Sequence, residues 1–204
     1  MANLIVWVVD DDDSIRWVLN RAFEKAGFTT RDFANGELLL DALKSAQPHV
    51  IVSDIRMPGT DGFDVLSEVN TRFEHLPIVI MTAHSDLETT VTSFERGAFE
   101  YVAKPFDIDD IVATVRRAAN QTHPRQDPIE LDVEPSANGI VGRAPAMQEV
   151  FRAIGRLTQS TATVMITGES GSGKELVAQA LHDHSPRATG PLVALNMAAI
   201  PSEL

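Results

Sequence analysis

Short strand-like runs alternate with amphipathic helical stretches five times over residues 1–120, and this rhythm constrains the fold more than any other feature. Leu4 to Val9 is unbroken apolar sequence, Thr29 to Phe33 is a short second run, and Val50-Ile51-Val52, Ile78 to Met81 and Phe99 to Ala103 follow. Runs rich in branched apolar residues suit strands buried on both faces. Between them apolar side chains recur at helical spacing. Ile15, Val18, Leu19, Ala22 and Phe23 form one such set, stopped by Gly27 and capped at its start by Asp13 or Ser14. Further helices are predicted over Gly36 to Ala46, over Phe63 to Phe73 with Val65, Leu66 and Val69 inward, around Leu87, Val91 and Phe94, and around Ile108, Ile111, Val112 and Val115. Strands alternating with helices predict an α/β fold, a doubly wound five-stranded parallel sheet.

The pattern stops after Ala119. Residues 121–138 hold three prolines, several charges and few apolar side chains, and read as a linker. A second pattern begins at Gly139: a helix carrying Met147, Val150, Phe151 and Ile154, a strand Val164-Met165-Ile166, a Gly-rich turn, a helix from Lys174 to His184, and a strand Leu192 to Leu195. Residues 139–204 thus read as an incomplete α/β unit, cut short. With 17 Lys+Arg against 29 Asp+Glu the net charge is −12, which disfavours nonspecific DNA binding, since phosphate contacts need clustered basic residues. No cysteine is present, excluding disulfides, thiolate zinc sites and cysteine nucleophiles. No apolar run approaches the ~18 residues of a membrane span, and no signal-peptide layout opens the chain, so a cytoplasmic protein with no membrane partner is expected.

Acidic residues gather where the first strand ends, at Asp10, Asp11, Asp12 and Asp13, and Asp54 ends the third. Doubly wound sheets bind ligands at the carboxyl ends of strands where the strand order switches, and such chains set the first and third strands side by side. Asp11, Asp12 and Asp54 are therefore expected in one pocket, where their mutual repulsion calls for a hard divalent cation such as Mg²⁺. Asp13 reads as a cap and Asp10 as positional. Pro58 and Gly59 fix a turn directly after Asp54, Thr82 ends the fourth strand, and Lys104 ends the fifth within Lys104-Pro105-Phe106. A hydroxyl and an ammonium thus join the carboxylates at one rim of the sheet.

On these residues the segment 1–120 resembles the receiver domain of two-component response regulators, a flavodoxin-like fold. The resemblance implies that Asp54 accepts a phosphoryl group from a phosphohistidine on a sensor histidine kinase. It further implies that Asp11, Asp12 and Asp54, with the backbone carbonyl of Arg56, hold Mg²⁺. Lys104 and Thr82 would meet phosphoryl oxygens, and Tyr101 would be the aromatic that swings inward on activation. The implied output face is the fourth helix, fifth strand and fifth helix, with self-association on phosphorylation.

Gly168-Glu169-Ser170-Gly171-Ser172-Gly173-Lys174 follows an expected strand and opens an expected helix. Backbone N–H groups in such a loop cradle nucleotide phosphates, and Lys174 would reach the β- and γ-phosphates of ATP. A merely flexible Gly/Ser turn is the plainer alternative. Where this motif usually has Ser or Thr, Glu175 stands. That octet, with Ile140-Val141-Gly142 and Leu195 to Pro201, resembles the AAA+ ATPase module of bacterial enhancer-binding activators of sigma-54 RNA polymerase. The resemblance implies an ATP-dependent transcriptional activator. Its contacts to sigma-54 polymerase and enhancer DNA would lie beyond Leu204, so this stretch is not itself expected to be an enzyme. A nucleotide-binding ATPase that uses the first domain only as a scaffold is the rival reading. His182 and His184, two apart on a helix, do not share a face and are not expected to bind a metal.

Overall fold

The computed structural model describes residues 4–73, 75–83, 87–120, 145–158 and 160–194. The 121–138 linker, Ile140 to Gly142 and Leu195 to Pro201 lie outside the described residues. Strands β1 (Ile5–Val9), β2 (Thr29–Phe33), β3 (Val50–Asp54), β4 (Ile78–Thr82) and β5 (Glu100–Ala103) alternate with helices α1 (Asp13–Lys25), α2 (Gly36–Ala42), α3 (Gly62–Arg72), α4 (Leu87–Glu95) and α5 (Ile108–Asn120). All strand pairs are parallel, in the order β2-β1-β3-β4-β5. The expected doubly wound sheet is present.

Side chains alternate across the sheet and build two cores. Trp7, Val9, Ile51, Ile78, Ile80 and Tyr101 face one way and pack with Leu39, Val65, Leu66 and Val69 of α2 and α3. Val6, Val8, Val50, Val52, Val79 and Met81 face the other way and meet Leu19 and Phe23 of α1 with Ile111 and Val115 of α5. Every residue of β3 and β4 is buried, as unbroken apolar runs require. The chain leaves β1 to one side for β2 and returns on the other for β3. This reversal brings the ends of β1 and β3 together, with Val9 opposite Ser53.

Two further helices follow, α6 (Pro145–Leu157) and α7 (Lys174–Asp183). Phe151 and Ile154 of α6 are buried against Leu87 and Val91 of α4, and Ala180 of α7 joins them. The strand expected over Val164 to Ile166 is not formed: these residues pair with no neighbour, and Met165 is 86% exposed. Leu192 to Ala194 likewise lie outside any ladder, with Val193 71% exposed. A strand is stable only when its N–H and C=O groups find an adjacent strand, and among the described residues none lies beside these segments.

Candidate functional site

Local sequence fixes each wall of the pocket at the rim of the sheet. β3 runs apolar up to Asp54, which is only 6% exposed. The chain then turns so tightly that α3 starts directly beneath the strand end. The Gly62 N–H donates to the Ile55 carbonyl at 2.8 Å, and a Cβ on Gly62 would lie 2.1 Å from the Asp54 carbonyl oxygen. Only glycine fits that approach. Asp61 caps α3 through the Asp64 N–H, and the Asp64 carboxylate returns the bond to the Asp61 N–H.

Lys104 closes the pocket from β5, after which comes the cis Lys104-Pro105 peptide. Its Nζ lies 2.6 Å from Asp54 Oδ1 and 2.7 Å from Asp10 Oδ2, and its backbone N–H donates to the Thr82 carbonyl at 2.7 Å. The Arg56 N–H donates to Asp54 Oδ2 at 3.0 Å. Thr82 is buried at the end of β4, and Tyr101 is buried on β5. Burial pushes the Asp54 carboxyl above the usual range, against the opposing pull of the Lys104 ammonium. Burial pulls Lys104 down, but its bonds to Asp10 and Asp54 outweigh this and leave its pKa raised. One ammonium serving two buried carboxylates leaves the pocket net negative.

The acids after β1 differ in what they touch. Asp12 is the N-cap of α1, exposed, with Oδ1 accepting the Ser14 N–H at 2.8 Å. That bond holds its carboxyl below the usual range. Asp10, read from sequence as positional, is 1% exposed and shares Lys104 with Asp54. Its other oxygen accepts the Asp12 N–H at 2.9 Å, and its carbonyl accepts Arg16 Nη1 at 2.7 Å. Asp10 follows the buried strand directly, whereas Asp12 stands where the helix begins. Asp11 is exposed between them. Among the described residues no three acidic or histidine side chains close on one point as a metal cage. The donor set nonetheless suits Mg²⁺, which takes one or two carboxylates and keeps several waters. The pocket's uncompensated charge is what such an ion neutralises.

The Gly-rich loop lies far along the chain at the start of α7. Gly173 precedes the helix at φ 85°, and Lys174 Nζ donates to the carbonyls of Gly168 at 3.0 Å and Glu169 at 2.6 Å. Ser172 Oγ donates to the Glu169 carbonyl at 2.8 Å. Ser170, Gly171 and Glu175 are exposed. The lysine is folded over its own loop beside the positive end of a helix, an arrangement suited to phosphate oxygens.

Comparison with known proteins agrees with this geometry. The response regulator receiver domain model matches residues 6–116, and the sigma-54 interaction domain model matches residues 140–204. The DNA-binding transcriptional regulator NtrC of Escherichia coli (strain K12) is 56% identical over 200 residues, 98% of this chain and 43% of that protein. NtrC of Bradyrhizobium is 42% identical over 199 residues. The chain thus spans less than half the length of the curated relatives it matches. Among solved structures, the BeF₃-activated receiver domain of NtrC is 56% identical with a TM-score of 0.52, covering 58% of this chain and 95% of that one. NtrX from Brucella abortus, solved with ATP, is 31% identical with a TM-score of 0.56, covering 98% of this chain and 45% of its own. No described helix is long and apolar enough to cross a membrane. A buried aspartate and a strand-end lysine at the switch point of a five-stranded sheet, within a receiver match spanning more than half of the sequence, establish that the chain belongs to the response regulator receiver domain family.

Proposed function

We propose that this chain is the phosphorylation switch, and the start of the ATPase module, of a sigma-54-dependent transcriptional activator of nitrogen-regulated genes. The observation that carries the reading is Asp54, a buried carboxylate held between Lys104 and the Arg56 N–H at the end of β3. The proposed boundaries are a receiver over 1–120, a linker over 121–138 and the AAA+ segment from 139. The similarity to NtrC over nearly the whole chain supports the promoter class, and the sigma-54 interaction match supports the polymerase partner.

In the proposed reaction an Asp54 oxygen attacks the phosphorus of a phosphohistidine on a sensor kinase. The O–P bond forms as the N–P bond breaks, and the bonding electrons stay on the imidazole nitrogen, which takes up a proton. A carboxylate is a competent nucleophile here, and the chief task of the site is to offset charge on the transferring oxygens. Lys104 does this directly by moving from Asp54 Oδ1 to a phosphoryl oxygen, while the Arg56 N–H keeps the other carboxylate oxygen in place. Thr82, at the neighbouring strand end, is positioned to hydrogen-bond the new group. Asp11, Asp12, Asp54 and the Arg56 carbonyl would hold Mg²⁺, which when bound supplies the remaining positive charge, with Asp10 beside them on Lys104. Asp12 orients this segment by fixing the start of α1. Tyr101 would register the change on β5, and self-association would follow phosphorylation. Residues 168–175 would bind the phosphates of ATP.

Labelling with acetyl phosphate in Mg²⁺ tests the reading. One phosphoryl group per chain is expected, lost in Asp54→Ala and hydrolysed in alkali as an acyl phosphate is. Absence of label on the parent chain, together with Mg²⁺-dependent ATP turnover lost in Lys174→Ala, would overturn it in favour of a nucleotide hydrolase.

A further inference from the structure

The route from the second unit to the pocket is short. α6 lies along α4, and Gly155, in the last turn of α6, is seated directly against it: a Cβ there would fall 2.5 Å from Phe94 Cδ2 and 3.4 Å from the Thr90 carbonyl oxygen. Any side chain there would have to displace the Phe94 ring. The next residue, Arg156, passes over the Phe94 ring at 5.9 Å and makes an ion pair with Glu100. Glu100 is 1% exposed and opens β5; its Oε1 accepts the N–H of Tyr101, and its Oε2 is shared with Arg117 of α5 at 3.3 Å. Directly after the far end of that strand comes Lys104, whose ammonium bridges Asp54 and Asp10.

β5 is a four-residue strand at the edge of the sheet, bonded on one side only to β4. Such a strand holds its terminal side chain no more firmly than its own anchors allow. One end is fixed by Glu100, through an arginine from α5 and an arginine from α6. We propose that α6 is a positioning element for chemistry at Asp54: docked through Gly155 and Arg156, it braces β5 and so holds Lys104 at the acceptor. Preorganised charge accelerates transfer because the group need not be gathered at the moment of reaction. The inference rests on the phospho-acceptor reading above.

The experiment uses the whole 204-residue chain and acetyl phosphate. Tyr101 is the only tyrosine, so 3-fluorotyrosine gives a single ¹⁹F resonance beside Glu100. Gly155→Ala should loosen the dock while strengthening α6 as a helix, and Arg156→Glu should repel Glu100. Both variants should lower the labelling rate at saturating acetyl phosphate by at least about fivefold, the low end of ordinary coupling. They should also move the Tyr101 resonance, and Arg156→Lys should restore both readouts in large part. A cooperative melt for each variant guards against simple unfolding. Label on the parent chain that is lost in Asp54→Ala secures the underlying reading independently. If the parent labels normally and both variants match its rate, or label faster, the positioning role is wrong. A slowed rate that Arg156→Lys leaves unrestored, with the Tyr101 signal unmoved, overturns it as well.

Discussion

Asp54 is held in tension between two environments. Its neighbours supply an ammonium and a backbone N–H, yet burial dominates and raises its pKa. A carboxyl whose folded pKa is raised favours the fold below its unfolded pKa, and that contribution is lost as pH rises through the folded value. Asp54→Asn keeps an acceptor for Lys104 without the charge. The variant should therefore melt above the parent at neutral pH, and the difference should vanish in acid below the ordinary aspartate pKa. A pair of melting curves at the two pH values checks this; a variant that melts lower at neutral pH would mean the lysine outweighs the burial. At this scale much of the site was legible. Asp54, Thr82 and Lys104 each end an apolar run, and a strand end at the rim of a parallel sheet is where a side chain leaves the core for the pocket. The bond of Asp10 to Lys104 was not legible, because four identical letters carry no mark of where strand gives way to helix.

Among the elements, α3 shows how little clearance the site has. Its first residue touches the backbone of the strand that carries Asp54, and Gly62→Ala would force the two apart. A cost of about 1–3 kcal/mol is expected, typical of overpacking. Asp54 labelling should slow as well, since the displaced backbone is that of Asp54 itself; chemical denaturation and acetyl phosphate kinetics on one preparation measure both. All five strands and five helices of the sheet domain were readable from the alternation; β2, with Phe33 its one buried residue, was legible by its place between two helical stretches. α2 ends at Ala42 rather than Ala46, where the chain turns on itself through Leu43 to Ser45 ahead of Pro48. The Val164 to Ile166 strand failed for a different reason. Apolar branched sequence permits a strand, but a ladder is a relation between two segments, and the partner is not written in either one.

Across the whole molecule, stability is divided between cores. The two faces of the sheet each have their own apolar cluster, and α4, α6 and α7 share a third through Leu87, Val91, Phe151, Ile154 and Ala180. Phe151 is fully buried in that third cluster. Phe151→Ala should cost about 3–5 kcal/mol within it. Hydrogen exchange should then show the amides of α4 and α6 losing protection while those of β1 and β3 keep theirs. Equal loss in all four would mean the clusters melt as one. The contact itself was only half legible. Met147, Val150, Phe151 and Ile154 announced a buried face on α6. Nothing in the sequence said that the neighbour would be α4.

The acids at the end of β1 have one more consequence. Asp10 follows the strand, Asp12 caps the helix, and Asp11 spans the gap. Losing any one of the four would leave the same letters in the same order, only fewer of them. Yet α1 would then start one residue early and turn by about 100° relative to the sheet, swinging Leu19 and Phe23 off their seats. The run is a ruler as much as a reagent: its length sets the phase of the first helix, and identical side chains conceal a register that tolerates no slip.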